Sequence, residues 1–185
     1  NPTRIFLVDV KAGVDYVVIL NTNAGLWGYN IGDTIKFVST DPYRIIVSGR
    51  IKHFTSAFGE HVIAEEVEKS LKETIEKFHA EVNEFHVAPQ VIPESGLPYH
   101  EWLIEFEEEP ENINAFKNLI DSSLQKHNAY YKDLIKGKVL RPLEVTIIGK
   151  NGFREYMKSI GKLGGQNKVP RLANDRKIAD KLKVF

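Results

Sequence analysis

Cysteine is absent from the 185 residues, and methionine occurs once. Without a thiol there is no disulfide framework, no thiolate zinc site and no cysteine nucleophile. The composition suits a reducing compartment. No apolar run approaches the roughly 18 residues that a membrane helix needs. Asn1–Leu20 lacks the basic-then-apolar order of a secretory leader. Net charge is missing too: 25 Lys+Arg offset 25 Asp+Glu, which argues against a generic nucleic-acid binder or a polybasic membrane binder. The six histidines form no HExxH or close i,i+4 pair, so no metal site is expected. No GxSxG elbow surrounds Ser56, and the Walker A pattern GxxxxGK[ST] does not occur.

What is present suffices for a core, with 42% hydrophobic and 27% charged residues. The zero balance conceals a split. Residues 1–135 hold 12 basic and 21 acidic side chains (−9), and residues 136–185 hold 13 and 4 (+9). Such a basic tail can meet an acidic partner, an anionic ligand or an acidic face of its own protein. A start at Asn1 rather than Met is expected of a processed or truncated chain.

Hydrophobic period divides the chain. Tyr16–Asn21, Thr34–Ser39 and Tyr43–Ser48 read as strands, joined by turns at Asn21–Gly25 and Asp41-Pro42. After Arg50 the period changes. Val67, Leu71, Ile75 and Phe78 predict an amphipathic helix over Glu60–Phe78, with Glu68/Lys72 and Glu73/Lys77 as supporting pairs. Val82–Ile92 and Glu101–Glu107 read as strands, the second with Trp102, Ile104 and Phe106 inward and Glu101, Leu103, Glu105 and Glu107 outward. A helix over Asn112–Gln125, a strand over Leu143–Ile148, a short helix over Asn151–Ile160 and a last helix over Leu172–Leu182 follow. The expected fold is α+β. A β-rich subdomain (1–50) precedes an α+β domain (51–185), whose antiparallel or mixed sheet carries helices on one face. Gly49–Phe54 is the expected boundary or hinge.

Three segments hold groups suited to a phosphorylated ligand. Gly25-Leu-Trp-Gly-Tyr-Asn-Ile-Gly-Asp33 ends in a carboxylate that can accept hydrogen bonds from two ribose hydroxyls; it is equally a turn in which Asp33 caps its own backbone. Ser48–Glu60 (SGRIKHFTSAFGE) brackets the hinge with Arg50 and Lys52 and places small residues before a helix, where an anion can approach; taken alone, it reads rather as a hinge with solvated charges and a glycine turn. His53 lies in the same stretch. Gly161–Arg171 (GKLGGQNKVPR) is a glycine-rich basic loop able to carry Lys168 to a phosphate; it is equally a loose connection. Trp27 and Trp102 read as core or rim packing, and Trp27 beside Tyr29 can also wall a pocket.

Taken in order, TNAGLWGYNIGDTIKF (Thr22–Phe37), PYRIIVSGRIKHFTSAFGEHVIAEEVEKSL (Pro42–Leu71), HEWLIEFEEEP (His100–Pro110) and GKLGGQNKVPRLANDRKIADKL (Gly161–Leu182) resemble the C-terminal portion of the Gretchen Hagen auxin-responsive acyl-acid amido synthetases. That family belongs to the adenylate-forming superfamily, and the likeness is to its bacterial branch. The resemblance implies a cytoplasmic ligase using ATP with Mg2+. A carboxylic acid is adenylated with loss of pyrophosphate, and an amino acid then displaces AMP. It implies that Asp33 holds the ribose, with Tyr29 beside the nucleotide and Arg50 a ribose or hinge contact. Lys52 and His53 would lie at the pivot, and Gly59 and Glu60 on the lid loop of the second step. Lys168 would bridge the α-phosphate and the acid's carboxylate. Residues 1–50 would end the N-terminal adenylate-forming domain, and residues 51–185 would be the mobile lid.

Asn30 stands where the family commonly has arginine, so no contact is carried over to it. The loop that cradles the ATP phosphates and the acyl-pocket helices are not in the sequence. The resemblance therefore implies a fragment, inactive alone, whose partners are the two substrates and its own missing N-terminal domain, with no nucleic acid or membrane. A coenzyme A thioester ligase of the same superfamily and a non-enzymatic α+β binding module are the other readings.

Overall fold

The computed structural model describes residues 3–50, 54–164 and 167–185, without the side chains of Arg50 and Phe54. The chain forms two compact units, Asn1–Lys52 and His53–Phe185.

The first unit is a three-stranded antiparallel sheet in the order β1 (Asp15–Leu20), β2 (Tyr29–Thr40), β3 (Tyr43–Arg50). The turn between β2 and β3 includes a cis Asp41-Pro42 peptide. Phe37 is its buried centre, with Tyr16 and Tyr43 edge-on at 5.9 and 6.0 Å. β2 starts five residues before the expected Thr34, because the ladder with β1 continues to Leu20↔Tyr29. The glycine-rich segment is thus partly strand. Gly32 turns to φ +83 within it, a conformation that glycine enters without a Cβ clash. Asn30 stabilises this point, its Oδ1 accepting from the Gly32 N–H at 2.8 Å.

The second unit begins with a small hairpin, β4 (Phe54–Thr55) and β5 (Val62–Ile63), and then α1 (Ala64–Phe78). The helix starts four residues later than its apolar period predicts. Glu66 closes its first turn by accepting from the Ile63 N–H at 3.1 Å, and Glu60 turns inward instead of joining the helix. A mixed sheet follows. β6 (Glu81–Gln90) is antiparallel to β7 (Tyr99–Glu108), and β8 (Glu144–Ile148) runs parallel to β7. Between them lie α2 (Ile113–His127), capped by Asn112 Oδ1 on the Ala115 N–H at 2.9 Å, and α3 (Ala129–Lys136), which the sequence pattern leaves unassigned. The chain closes with α4 (Gly152–Ser159) and a one-turn α5 (Ala179–Leu182).

One face of the sheet carries the main core: Val67 and Leu71 of α1, Phe116, Ile120 and Leu124 of α2, Tyr131 of α3, and Phe85, Trp102, Ile104 and Phe106 of the strands. The other face is covered as well. There Ala88, Leu103 and Ile148 pack under Phe153, Tyr156 and Met157 of α4, Val169, and Ala179 and Leu182. The strict alternation expected of β7 therefore fails, since every residue from His100 to Phe106 is buried. Leu103 joins the second core. Glu105 accepts from the Asn151 and Phe153 N–H groups at 3.0 and 3.1 Å, satisfying donors that α4 cannot pair internally. Glu101 accepts from Arg176, Lys183 and Thr146 at 2.6, 2.7 and 2.5 Å.

The last helix is much shorter than expected. Residues 172–173 instead pair with the sheet, Leu172 being bridged to Val87, and residues 174–178 form bends and turns. The expected helix pairs also re-sort. Glu73 meets His127 and Ser123 of α2 at 3.0 and 2.6 Å, because a neighbouring helix offers less solvated partners than the exposed face of its own. The basic tail meets the acidic half of its own unit: Arg171 lies between Glu68 and Glu84, Lys150 pairs with Glu107 and Arg176 with Glu101.

Candidate functional site

In the first unit, Asp33 and Arg50 are cross-strand partners of β2 and β3, beside an irregularity between Thr34 and Ile35. Antiparallel pairing brings these two backbone positions together although 16 intervening residues separate them in the sequence. Tyr29 starts the same strand, half exposed. Gly49 packs under Thr34, whose Oγ1 would stand 3.3 Å from an added Cβ. Trp27 is 81% exposed and packs into no core, while Trp102 is wholly buried. The pivot candidates Lys52 and His53 lie outside the described residues.

In the second unit, the turn between β4 and β5 carries Gly59 and Glu60. Gly59 sits at φ +88, which explains the glycine. Glu60 does not point outward. Its side chain has no solvent exposure, Oε1 lies 2.8 Å from His100 Nε2, and Oε2 accepts from the Phe58 N–H at 2.8 Å. Burial pushes this carboxyl up, but the hydrogen bond and charge of His100 and the backbone N–H groups outweigh it and hold it below its ordinary value. Beneath the pair, the His100 ring tilts against Tyr131 at 5.2 Å, and the Tyr131 hydroxyl donates to Asp121 at 2.7 Å.

Lys168 is exposed. One residue later the chain is fastened: Val169 enters the second core, and the Pro170 carbonyl meets His86 Nδ1 at 2.6 Å. The Val87 N–H donates to the Arg171 carbonyl at 2.9 Å, and the Ala173 N–H donates to the Val87 carbonyl at 3.0 Å. The glycine-rich stretch is thus a loop firmly held at its C-terminal end, while its start is bonded to α4 through the Gly161 and Lys162 N–H groups. The same strap meets the β4–β5 turn, where the Thr55 hydroxyl donates to the Ala173 carbonyl at 2.9 Å and the Ser56 N–H donates to Asn174 Oδ1 at 2.8 Å. The structure therefore groups Asp33 with Arg50 in one unit and joins the Gly59–Glu60 turn to the Lys168 strap in the other.

His86, His100, Thr55 and Glu101 escape sequence reasoning. A histidine in an apolar strand carries no periodic sign of its partner, and Glu101 sits at a position that alternation assigns to solvent. Among the described residues, no group of three or more His, Asp and Glu is arranged to hold a metal ion, and no helix is long and apolar enough to cross a membrane.

An antiparallel β unit followed by an α+β unit of this build is shared with solved acyl-activating enzymes. An acyl acid amido synthetase, GH3.15, aligns over 97% of this chain and 35% of its own, with TM-score 0.77 and 22% identity. A 2-hydroxyisobutyryl-CoA ligase in its postadenylation state aligns over 95% and 36%, with TM-score 0.52 and 15% identity. The fold is therefore shared with about a third of each of these enzymes. The family is narrower still. The GH3 family C-terminal domain matches residues 65–177, and the GH3 family central domain matches residues 1–50. The chain belongs to the GH3 family.

Among curated relatives, a jasmonoyl–L-amino acid synthetase, GH3.5, of Oryza sativa subsp. japonica is 28% identical over 91% of this chain and 30% of its own. A probable indole-3-acetic acid-amido synthetase, GH3.1, of Arabidopsis thaliana is 25% identical over 95% and 32%. The chain spans about a third of the length of these relatives.

Proposed function

We propose that this chain is the C-terminal part of an ATP-dependent acyl-acid amido synthetase. The observation that carries the reading is the succession, in one chain, of the family's central and C-terminal domains. Residues 1–50 would end the adenylate-forming body and residues 51–185 would form the lid. The acid's carboxylate oxygen attacks the α-phosphorus of ATP and pyrophosphate leaves. The amino acid's nitrogen then attacks the acyl carbon, AMP leaves with the C–O bond electrons, and the nitrogen gives up a proton. Asp33, with Tyr29 and Arg50 near it, would bind the nucleoside. Mg2+ would arrive with the ATP phosphates.

Lys168, an exposed cation beside the anchored C-terminal end of its loop, would neutralise the charge developing between carboxylate and phosphate. Lys52 and His53 would serve the pivot, and the Gly59–Glu60 turn the second step. The partners are a carboxylic acid, an amino acid and the remainder of the protein, in the cytoplasm, with neither nucleic acid nor membrane. Exposed Val17, Ile19, Ile45, Ile46 and Val47 on the first sheet support a covering partner domain. The resemblance to the bacterial branch is kept as an expectation; both curated relatives named above come from plants, and the reading rests on the family.

The test is Lys168→Ala in the complete enzyme. ATP–pyrophosphate exchange should fall by about 10²–10³, far more than amine attack on a supplied acyl-adenylate. Equal loss in both half-reactions sinks the assignment. Offering amino acids, hydroxylamine or coenzyme A separates an amide from a thioester product.

A further inference from the structure

His86 is wholly buried on β6 and belongs to none of the groups assigned above. Its Nδ1 lies 2.6 Å from the Pro170 carbonyl oxygen. A carbonyl can only accept, so Nδ1 carries the proton. Nε2 then bears the lone pair, and it is buried with no hydrogen-bond partner among the described residues. Burial pushes this imidazole below its ordinary value, and Arg176 adds to the push, against the Pro170 bond and Asp175. The net of these effects favours a neutral ring, which makes one hydrogen bond among the described residues, to Pro170. That bond ends two residues after Lys168.

Other attachments of the strap lie farther along the chain. Val87 holds Arg171 and Ala173 through backbone groups, and Thr55 and Ser56 hold Ala173 and Asn174. Upstream of Pro170, the described contacts are the packing of Val169, a 3.4 Å bond from the Asn167 side chain back to the Gly164 carbonyl, and, at the far end of the loop, the Gly161 and Lys162 N–H groups donating to the Lys158 and Met157 carbonyls at 3.0 and 2.9 Å. Among the described residues, the bond from His86 is therefore the hydrogen bond to the sheet that lies nearest Lys168 along the chain. It fixes a residue that has no N–H of its own with which to pair to the sheet. Lys168 itself is exposed, so its direction is set through its backbone.

We propose that His86 is a positioning residue for Lys168: its Nδ1–H clamps the Pro170 carbonyl to the sheet and so sets where the lysine-bearing loop leaves it. This rests on the adenylation reading of Lys168. Misplacing a charge-stabilising group by about an ångström can cost up to about 10²-fold in rate. Loss of the clamp should therefore slow adenylation and spare amide formation.

The experiment compares His86→Leu, which removes the donor, with His86→Asn, whose side-chain amide nitrogen can stand near the Nδ1 position. In the complete enzyme, His86→Leu should lower ATP–pyrophosphate exchange about 10- to 100-fold, with a much smaller effect on amine attack on a supplied acyl-adenylate. His86→Asn should recover most of the loss. In the same proteins, amide hydrogen exchange at Val87 and Ala173 should quicken in the leucine variant and return towards wild type in the asparagine variant. Equal losses in both half-reactions, wild-type rates in His86→Leu, or no recovery with asparagine overturns the proposal.

Should the leucine variant fail to fold, the wild-type ring decides. Nitrogen chemical shifts must show a protonated Nδ1 and a bare Nε2 at neutral pH, and the reverse tautomer overturns the clamp. Lys168→Ala with undiminished exchange instead removes the adenylation reading and the catalytic role with it, while the ring shifts and amide exchange still decide the clamp.

Discussion

Glu60 and His100 meet at 2.8 Å with neither side chain exposed to solvent. The pair pins the Gly59 turn to the start of β7. Removing one partner of such a pair strands the other, at a cost of about 3–5 kcal/mol. Glu60→Leu should lower stability by that order in chemical denaturation, and Glu60→Leu/His100→Leu by less than the sum of the single changes. Additive losses would show that the two groups are not coupled.

Acid should attack the same contact. The Glu60 carboxyl lies below its ordinary value in the folded chain. Its contribution is therefore present above the unfolded value of about 4.3 and is lost as pH falls through the lower folded value. Glu101, Glu107 and Glu144 are shifted in the same direction. Melting temperature should fall between about pH 5 and pH 3, and less steeply in Glu60→Gln, which has no carboxyl to protonate there. A parallel fall in both proteins contradicts this.

Glu101 fastens the C-terminal segment, being 3% exposed and bound by both Arg176 and Lys183. Glu101→Leu leaves two cations without their carboxylate and should cost about 3–5 kcal/mol. Residues 176–185 should become sensitive to carboxypeptidase under conditions in which the wild type resists. Unchanged resistance would mean that apolar packing of Ala179 and Leu182 suffices to hold the segment.

The core prediction concerns Phe116, which receives Phe78 and Phe106 edge-on at 5.7 and 5.5 Å. Phe116→Ala should destabilise by about 3–5 kcal/mol. Phe116→Leu keeps most of the apolar volume and should cost less than half of that. The measurement is the denaturant midpoint at constant slope.

Gly59 is open on all sides, with nothing within 4 Å of an added Cβ, yet its φ is +88. Gly59→Ala should therefore cost about 1–2 kcal/mol through backbone strain alone, with no loss of core contacts. A larger loss would point to collapse of the β4–β5 turn.

Much of the fold was legible because it follows from periods and breakers. The 3.6-residue stripe of Val67, Leu71 and Ile75 and the β-branched runs around Val17 and Ile45 need no distant partner to be recognised. Less legible were elements whose limits depend on contacts across the chain. The helix at Ala64 starts late because Glu60 is drawn to His100, 40 residues away. Alternation in β7 assigned Glu101 and Glu105 to solvent, since one strand cannot show that a second layer will cover its outer face. The motif residues Asp33, Arg50, Gly59 and Lys168 could be named from their order in the chain. The residues that hold the Gly59–Glu60 turn and the strap after Lys168, namely Thr55, His86 and His100, could not, because a hydrogen-bond partner leaves no periodic trace.

By itself the sequence determined the class of elements, the change of architecture near residue 50 and a charge split of −9 and +9. Local propensity, hydrophobic period and counting are properties of the chain alone. Tertiary structure decided where those charges go. Arg171, Arg176 and Lys183 of the basic tail turn back onto Glu84 and Glu101 of the same unit, and buried Glu101 in particular needs such cations and donors to offset its lost hydration. Lys168 remains exposed on its anchored loop.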